Sequence, residues 1–258
     1  MLINSWEAAY FDFTGDTIVD LAKEAASLGI DMVVMDDGWF GKRDDDNSSL
    51  GDWFVNEKKL GGTLSELIDR VHAQGVKFGI WIEPEMVNED SNLYREHPDW
   101  AIQIPGKLPV RSRNQLILDF SRKEVRDNIF DQICAVFDQG KIDYVKWDMN
   151  RHMTEVGSAQ LPAERQQETQ HRYMLGLYSI LEELNQKFPD VLFESCSGGG
   201  GRFDEWTELY RAGLAQICRR LAAEFDVVCE MTAGVPHVWK CDAVAGMLHV
   251  WKGELPDA

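Results

Sequence analysis

Apolar and polar positions along the chain fall into alternating blocks that predict strands and helices in turn. Runs rich in apolar, β-branched and aromatic residues predict six strands, at residues 2–13, 30–35, 76–82, 115–120, 142–147 and 191–193. Between these runs, apolar residues recur three or four positions apart, which is the spacing of an amphipathic helix. Repeated strand–helix units are typical of an α/β fold with a parallel sheet.

Capping signals predict where several helices begin. Thr14 or Asp16 can cap the first helix, and the Thr63–Glu66 spacing predicts a capping box for the second. The Ser121–Glu124 spacing predicts another capping box, for the helix that runs toward Gly140. A longer helix is predicted over about residues 163–187.

Acidic residues follow the predicted strands at their C-terminal ends. They are Asp36, Asp37, Glu83, Glu85, Asp119, Asp148 and Glu194. In a barrel these ends converge on one mouth, whereas an open sheet gathers functional groups mainly at one switch point. Acids on five successive strands therefore favour a (β/α)8 TIM-type barrel, either incomplete or divergently closed after the sixth strand.

The fifth predicted strand carries the main candidate for chemistry. Tyr144, Lys146 and Asp148 alternate along it and so share one face. We expect the cation of Lys146 to keep Asp148 ionised, as a nucleophilic carboxylate requires. A structural ion pair at the end of a strand is the alternative.

Composition limits the classes of partner. The chain has 258 residues, 44% of them hydrophobic, and a formal net charge of −18, which argues against nucleic acid and anionic membranes as partners. Its five cysteines include no C-x-x-C pair, so neither a disulfide framework nor a zinc site is indicated, and a cytoplasmic location is expected. The first residues lack the basic and apolar regions of a signal peptide.

Aromatic residues near the strand-end acids point to a neutral carbohydrate. The four tryptophans in or beside predicted strands are Trp6, Trp39, Trp81 and Trp147, each of which can also serve as a core residue.

Clustered acids also suit Mg²⁺, as in an enolase-type barrel, although Lys146 beside Asp148 would compete with a metal. We therefore expect no metal and no cofactor. The glycine run at 198–201 lacks a following Gly-Lys-Ser/Thr, so close approach of a sugar to the backbone is preferred to phosphate binding.

Five motifs together resemble the catalytic barrel of microbial α-galactosidases of glycoside hydrolase family 36, over about residues 1–204. The motifs are Asp36-Asp-Gly-Trp-Phe-Gly41, Trp81-Ile-Glu-Pro-Glu-Met-Val87, Arg113-Asn-Gln-Leu-Ile-Leu-Asp119, Lys146-Trp-Asp-Met-Asn-Arg151 and Glu194-Ser-Cys-Ser-Gly-Gly-Gly-Gly-Arg-Phe-Asp204. The resemblance implies a retaining glycosidase, carbohydrate metabolism, and a terminal α-galactoside substrate of the raffinose or melibiose type.

The resemblance also implies roles for individual residues. Asp148 matches the nucleophile, and the matches to substrate-binding positions are Asp36, Asp37, Trp81, Arg113, Lys146, Cys196 and Gly198. Such a mechanism needs a second carboxylic acid about 5–5.5 Å from the nucleophile. The family supplies it from a segment that this sequence lacks, which leaves the acid/base unassigned.

The sequence after residue 204 is unlike the family. Residues 205–225 have helical spacing, and 226–231 could form a strand. The candidate substitute acids in this part of the chain are Glu205, Glu208, Asp226, Glu230 and Asp242. We expect a barrel core over 1–204 and a divergent segment, 205–258, that completes or caps the same domain. A truncated or frame-shifted chain is preferred to a divergent closure, and exposed sheet edges would favour a homo-oligomer. A catalytically impaired remnant that binds galactose and the enolase-type enzyme are the alternative functions.

Overall fold

The computed structural model describes residues 1–154 and 156–197, together with the backbone of three strands further along the chain. Contacts divide the chain into two compact units, residues 1–197 and 198–258. The expected division at residue 204 remains a prediction, and the predicted helix over 205–225 lies outside the described residues.

Five parallel strands form the centre of the first unit. They are β1 (Leu2–Asn4), β2 (Met32–Met35), β3 (Lys77–Ile82), β6 (Tyr144–Trp147) and β7 (Leu192–Ser195). Their order in the sheet is β1-β2-β3-β6-β7, so neighbours in space follow one another along the chain. The predicted α/β fold with a parallel sheet is confirmed.

Helices cover this sheet and bury its apolar side chains. The helices are α1 (Trp6–Ala9), α2 (Gly15–Ser27), α3 (Glu57–Leu60), α4 (Leu64–His72), α5 (Asn92–Glu96), α6 (Lys123–Phe137) and α7 (Thr169–Lys187), with 3₁₀ turns at Pro98–Trp100 and Ala163–Glu168. Leu64, Leu67, Ile68 and Val71 of α4 are buried, as their spacing predicts. A core between sheet and helices holds the strand ends in fixed positions.

Two predicted caps form and one does not. Thr14 accepts a hydrogen bond from the Thr17 N–H, and the Thr63–Glu66 capping box is complete. The capping box predicted at Ser121–Glu124 is wrong, because α6 follows Arg122 and lacks a side-chain cap. The Ser121 hydroxyl donates instead to Asp119, and Glu124 accepts from Arg122.

The first predicted strand is shorter than expected. It ends at Asn4, after which the chain turns into α1. The aromatic residues of segment 6–13 pack edge to face, with Trp6 about 5.1 Å from both Tyr10 and Phe11. The aromatic residues of segment 6–13 therefore belong to a packed turn and not to an extended strand.

The predicted fourth parallel strand is wrong. Its centre forms β5 (Leu116–Ile117), which pairs antiparallel with β4 (Met86–Val87) in a separate two-stranded sheet. A further antiparallel bridge joins Leu118 to Ala101. The segment is apolar because it is buried among loops, and β3 pairs directly with β6.

The second unit contributes an antiparallel sheet of three strands. They are β8 (Val227–Thr232), β9 (Val235–Cys241) and β10 (Leu248–Val250), in the order β10-β9-β8. The strand predicted at 226–231 is thus present almost in full.

Candidate active site

Three neighbouring strands each end in an acidic residue. Asp36, Glu83 and Asp148 directly follow β2, β3 and β6, which pair in parallel register. Their exposed fractions are 4%, 1% and 5%. Because parallel neighbours end at the same sheet edge, the three carboxyl groups form one buried acidic cluster, as the sequence predicts for these strands.

Asp148 is held by donors on both carboxylate oxygens. Trp81 Nε1 lies 3.0 Å and Asn150 Nδ2 lies 2.8 Å from Asp148 Oδ2, while the Met149 N–H lies 2.9 Å from Oδ1. Burial favours the neutral acid, but the hydrogen bonds and the nearby charge of Lys146 outweigh it and lower the pKa of Asp148. The carboxylate is therefore ionised and oriented.

Lys146 makes its direct ion pair with Asp36. Its Nζ lies 3.1 Å from Asp36 Oδ2, and the same oxygen accepts from Asn4 Nδ2 at 2.6 Å. Burial opposes the charge of Lys146, yet Asp36 and Asp148 together raise its pKa. The lysine thus stays cationic between two anions, and the expected interaction of Lys146 with Asp148 acts through charge, while its hydrogen bond goes to Asp36.

Asp37, the neighbour of Asp36, forms an ion pair with Arg43. Arg43, which is 2% exposed, donates from Nε to Oδ1 at 2.9 Å and from Nη2 to Oδ2 at 2.8 Å. Burial raises the pKa of Asp37, while Arg43 opposes that rise. Gly38 follows with φ +115°, a value that L side chains rarely adopt, and so allows the chain to turn after the acidic pair.

Glu83 differs from Asp148 in that its pKa is raised rather than lowered. Its Oε1 accepts from the Asn150 N–H and from Gln115 Nε2, the latter at 3.0 Å. Burial and then the charge of Asp148 raise the pKa of Glu83 to about 7. The cluster therefore contains one carboxylate that is ionised and one that changes charge near neutral pH.

An aromatic cluster fixes the ring of Trp81. Trp39 Nε1 donates to the Trp81 carbonyl at 2.8 Å, and Phe40 stacks with Trp81 at 6.3 Å between ring centroids. Trp53 lies at the same distance on a tilted plane. Trp39, Trp81 and Trp147 are all at most 2% exposed, so they are core residues as well as neighbours of the acids.

Of the remaining residues predicted for the site, Cys196 lies close to Asp148, Arg113 does not contact the described residues of the cluster, and Gly198 is not described. Cys196 follows β7 closely and contributes a hydrogen bond that lowers the pKa of Asp148, which puts it in the site. Arg113 is exposed in a turn with φ +52°, and within the described ranges no hydrogen bond joins it to the cluster. Gly198 lies outside the described residues. Asp226, Glu230 and Asp242 are likewise without described side chains.

Asp119 does not belong to the cluster. It is fully buried and accepts hydrogen bonds from Ser121 and Ser158. The prediction that it joins the other acids at a parallel strand end is wrong, because β5 is not in the parallel sheet. Glu85 likewise accepts from Trp147 Nε1 and the Tyr173 hydroxyl, and these contacts tie α7 to the sheet.

Sequence reasoning missed three residues that build the site. Asn4 orients Asp36, Asn150 joins Glu83 to Asp148, and Arg43 pairs with Asp37. The position of Asn4 at a strand end was a usable signal, but the overlong first predicted strand concealed it. Arg43 lies in a polar loop whose sequence gives no sign of burial.

Two negative findings apply to the described residues only. Across residues 1–154 and 156–197, no three His, Cys, Asp or Glu side chains converge as a metal site would require. No helix in this part of the chain has the length and apolar character needed to cross a bilayer.

The family model described as Melibiase matches residues 1–213. The chain belongs to the melibiase family. The bifunctional alpha-galactosidase/sucrose kinase AgaSK of Mediterraneibacter gnavus is 75% identical over 204 residues, covering 79% of this chain and 21% of that protein. Alpha-galactosidase AgaA of Geobacillus stearothermophilus is 58% identical over 204 residues, covering 79% of this chain and 28% of that protein. The resemblance to glycoside hydrolase family 36 is thus confirmed.

Solved structures of melibiase relatives agree with the fold. The GH36 alpha-galactosidase AgaA superposes with a TM-score of 0.76 at 58% identity, over 79% of this chain and 28% of that one. The galactosidase domain of AgaSK gives 0.73 at 75% identity, over 79% and 27%. This chain therefore spans between a fifth and a third of the lengths of these relatives. The family match gives no support to an enolase-type enzyme, and nothing among these relatives supports an impaired remnant.

Proposed function

We propose that this chain carries the galactose-binding, nucleophile-bearing part of a retaining α-galactosidase, with Asp148 as the nucleophile. The observation that carries the proposal is the environment of Asp148, where two side-chain donors and a nearby lysine favour its ionised form at a strand end. Membership of the melibiase family supplies the reaction class.

The proposed substrate is a terminal α-galactoside. Crystal structures of AgaA variants are in complex with raffinose in one case and with stachyose in another. In this chain, Asp36 and Lys146 can accept from and donate to sugar hydroxyls, because each retains hydrogen-bonding capacity beyond their mutual contact. Trp81, Cys196 and Gly198 are proposed to line the same pocket. Arg113 would need to turn inward to reach it.

Asp37 has a supporting part in this proposal. Arg43 uses one donor on each of its carboxylate oxygens, and each oxygen keeps a further lone pair for a hydroxyl. A rigid Asp37 would therefore fix the position of one sugar hydroxyl at little cost in conformational entropy.

The mechanism follows from the orientation of Asp148. A carboxylate oxygen of Asp148 would attack the anomeric carbon and form a glycosyl-enzyme, while the bond from that carbon to the leaving oxygen breaks. A second carboxylic acid would protonate that oxygen and then activate water. Candidates for that acid are Asp226, Glu230 and Asp242, none of which has a described side chain.

Three further features belong to the proposal. We infer that the parallel strands form the first part of a (β/α)8 barrel, since their spatial order follows the chain. The five cysteines include no C-x-x-C pair, and this wide spacing favours a cytoplasmic protein. Exposed apolar residues, such as Leu175 and Tyr178 on α7 and Leu192 in β7, favour association into a homo-oligomer.

An activated aryl α-galactoside tests the assignment, because its leaving group needs little acid assistance. The full chain should release a burst of about one phenol per molecule, limited by formation of one glycosyl-enzyme. Asp148→Asn should abolish the burst. Asp127→Asn, a matched change at a half-exposed helix position, should leave it intact. A burst of equal size from Asp148→Asn would overturn the assignment, as would the absence of both burst and galactose binding in the full chain.

A further inference from the structure

A buried glutamate, Glu83, is connected to Asp148 by hydrogen bonds through one asparagine. Glu83 is 1% exposed and its Oε1 receives two hydrogen bonds, from the Asn150 N–H and from Gln115 Nε2. Asn150 in turn donates from Nδ2 to Asp148 Oδ2 at 2.8 Å. One residue therefore connects the two carboxyl groups, with its backbone on Glu83 and its side chain on Asp148.

The second donor to Glu83 Oε1, Gln115, is itself held in place. Gln115 is 2% exposed, and its carbonyl accepts from Arg151 Nη1 at 2.8 Å. Arg151 also donates to the Val110 carbonyl at 2.8 Å. The guanidinium thus fixes the backbone that carries Gln115, and Gln115 fixes Glu83.

The charge balance around Glu83 makes its proton sensitive to Asp148. The titratable and charged side chains on the elements that meet there are Glu85, Lys146, Asp148, Arg151 and Tyr173. Lys146 is paired with Asp36, and Arg151 donates to backbone carbonyls rather than to Glu83. The carboxylate of Asp148 is the neighbouring charge that raises the pKa of Glu83 most, after burial itself.

We propose that Glu83 is a positioning residue for Asp148, and that the proton on its carboxyl group controls how fast Asp148 attacks. This inference rests on the proposed function of Asp148 as the nucleophile. Two ionised carboxylates joined through one asparagine repel each other, so each raises the affinity of the other for a proton. Ionised Glu83 therefore makes Asp148 more basic and more nucleophilic.

Glu83 is not proposed as the general acid. A proton donor must reach the leaving oxygen, whereas Glu83 is almost fully enclosed and lies under Asn150 and Gln115. Its effect on the reaction is exerted through Asp148. Consequently it should appear even with substrates whose leaving groups need no proton.

The first arm of the test measures the coupling without any turnover. Glutamate labelled with ¹³C at the side-chain carboxyl gives a signal for Glu83, identified by its loss in Glu83→Gln. This signal should titrate near pH 7 in the full chain and at clearly lower pH in Asp148→Asn, because the repelling charge is removed. An unchanged titration in Asp148→Asn, or titration in the ordinary range near pH ~4 in the unmodified chain, would overturn the inference.

The second arm measures the rate at which Asp148 reacts. An α-galactosyl fluoride with an added ring fluorine forms a slowly hydrolysed glycosyl-enzyme and releases fluoride without acid assistance, and the product is followed by intact mass. The rate in the full chain should rise severalfold, up to about tenfold, from pH 6 to pH 8. Glu83→Gln should remove this rise. Glu96→Gln, at an exposed position on α5, is the control and should keep it.

The two arms separate the inference from the function on which it rests. If no glycosyl-enzyme forms at any pH, the proposed function fails, and the titration alone still decides whether the carboxyl groups are coupled. If glycosyl-enzyme forms with the same pH profile in Glu83→Gln as in the full chain, Asp148 keeps its role and the inference about Glu83 is refuted.

Discussion

The ion pair between Arg43 and Asp37 makes a quantitative prediction about the stability of the site. Arg43→Met keeps the aliphatic part of the side chain and removes the guanidinium. It breaks both hydrogen bonds to Asp37 and one each to the Ser48 carbonyl, at 2.9 Å, and to Asn88 Oδ1, at 3.2 Å. The carboxylate of Asp37 then stays buried at 6% exposure without its cation.

Breaking a buried ion pair by removing one partner costs about 3–5 kcal/mol. The low exposure of both side chains, 2% for Arg43 and 8% for Asp37, gives little solvent screening, so the full range is expected. Lys123→Met breaks an ion pair with Asp127 whose side chains are 77% and 54% exposed. That control should cost less than about 0.5 kcal/mol.

The pH dependence of the stability of Arg43→Met provides a second, independent test. Burial already raises the pKa of Asp37, and loss of Arg43 removes the effect that opposes the rise. A carboxyl group whose folded pKa exceeds its unfolded pKa is favoured at low pH, and its contribution to stability is lost as the pH rises through the folded pKa. The defect of Arg43→Met should therefore be larger at pH 8 than at pH 5.

Urea unfolding followed by tryptophan fluorescence measures these free energies at both pH values. The double variant Arg43→Met/Asp37→Asn should recover part of the loss at pH 8, because no buried charge remains. A loss below about 1 kcal/mol in Arg43→Met, or a defect of the same size at pH 5 and pH 8, would refute the argument.

Three shorter predictions concern other contacts. Trp81→Phe removes the indole donor to Asp148 Oδ2, so the pKa of Asp148 should rise, and the acid limb of the burst rate against pH should move to higher pH. Thr63→Ala breaks the capping box of α4 and should cost about 1 kcal/mol in urea unfolding. Gly176→Ala would make the new Cβ overlap with the Phe120 carbonyl oxygen, so thermal unfolding should show a loss of about 1–3 kcal/mol or more. An unshifted limb in the first case, or wild-type stability in the other two, would contradict these contacts.

Much of the parallel sheet could be predicted because its strands carry an unambiguous pattern. Met32–Met35 and Lys77–Ile82 are short apolar runs between helices, as buried parallel strands should be. Leu116–Ile117 has the same apolar character but pairs with a distant hairpin-like partner, Met86–Val87. The local pattern of apolar residues indicates that a strand is buried, but it does not indicate which strand pairs with it.

The same limit applies to capping. Thr63 and Ser121 both precede a glutamate three residues later, and only Thr63 uses it. Ser121 has a stronger local acceptor in Asp119, which a sequence pattern does not weigh.

The site could be predicted where function required an acid at a strand end. Asp36 and Asp148 follow β2 and β6, and alternation along β6 correctly placed Lys146 near them. The contact that orients Asp36 comes from Asn4, 32 positions away, and the contact that orients the adjacent Asp37 comes from Arg43, 6 positions away. Such contacts depend on how separate elements pack, so a local sequence pattern does not predict them.

The position of a trapped sugar tests the central claim most directly. After reaction of the full chain with the fluorinated galactosyl fluoride, peptide mapping by mass spectrometry locates the covalent galactosyl group. The account predicts that the label lies on Asp148, within the peptide that follows β6. A label on Asp36, on Glu83 or on any other carboxylate would contradict it.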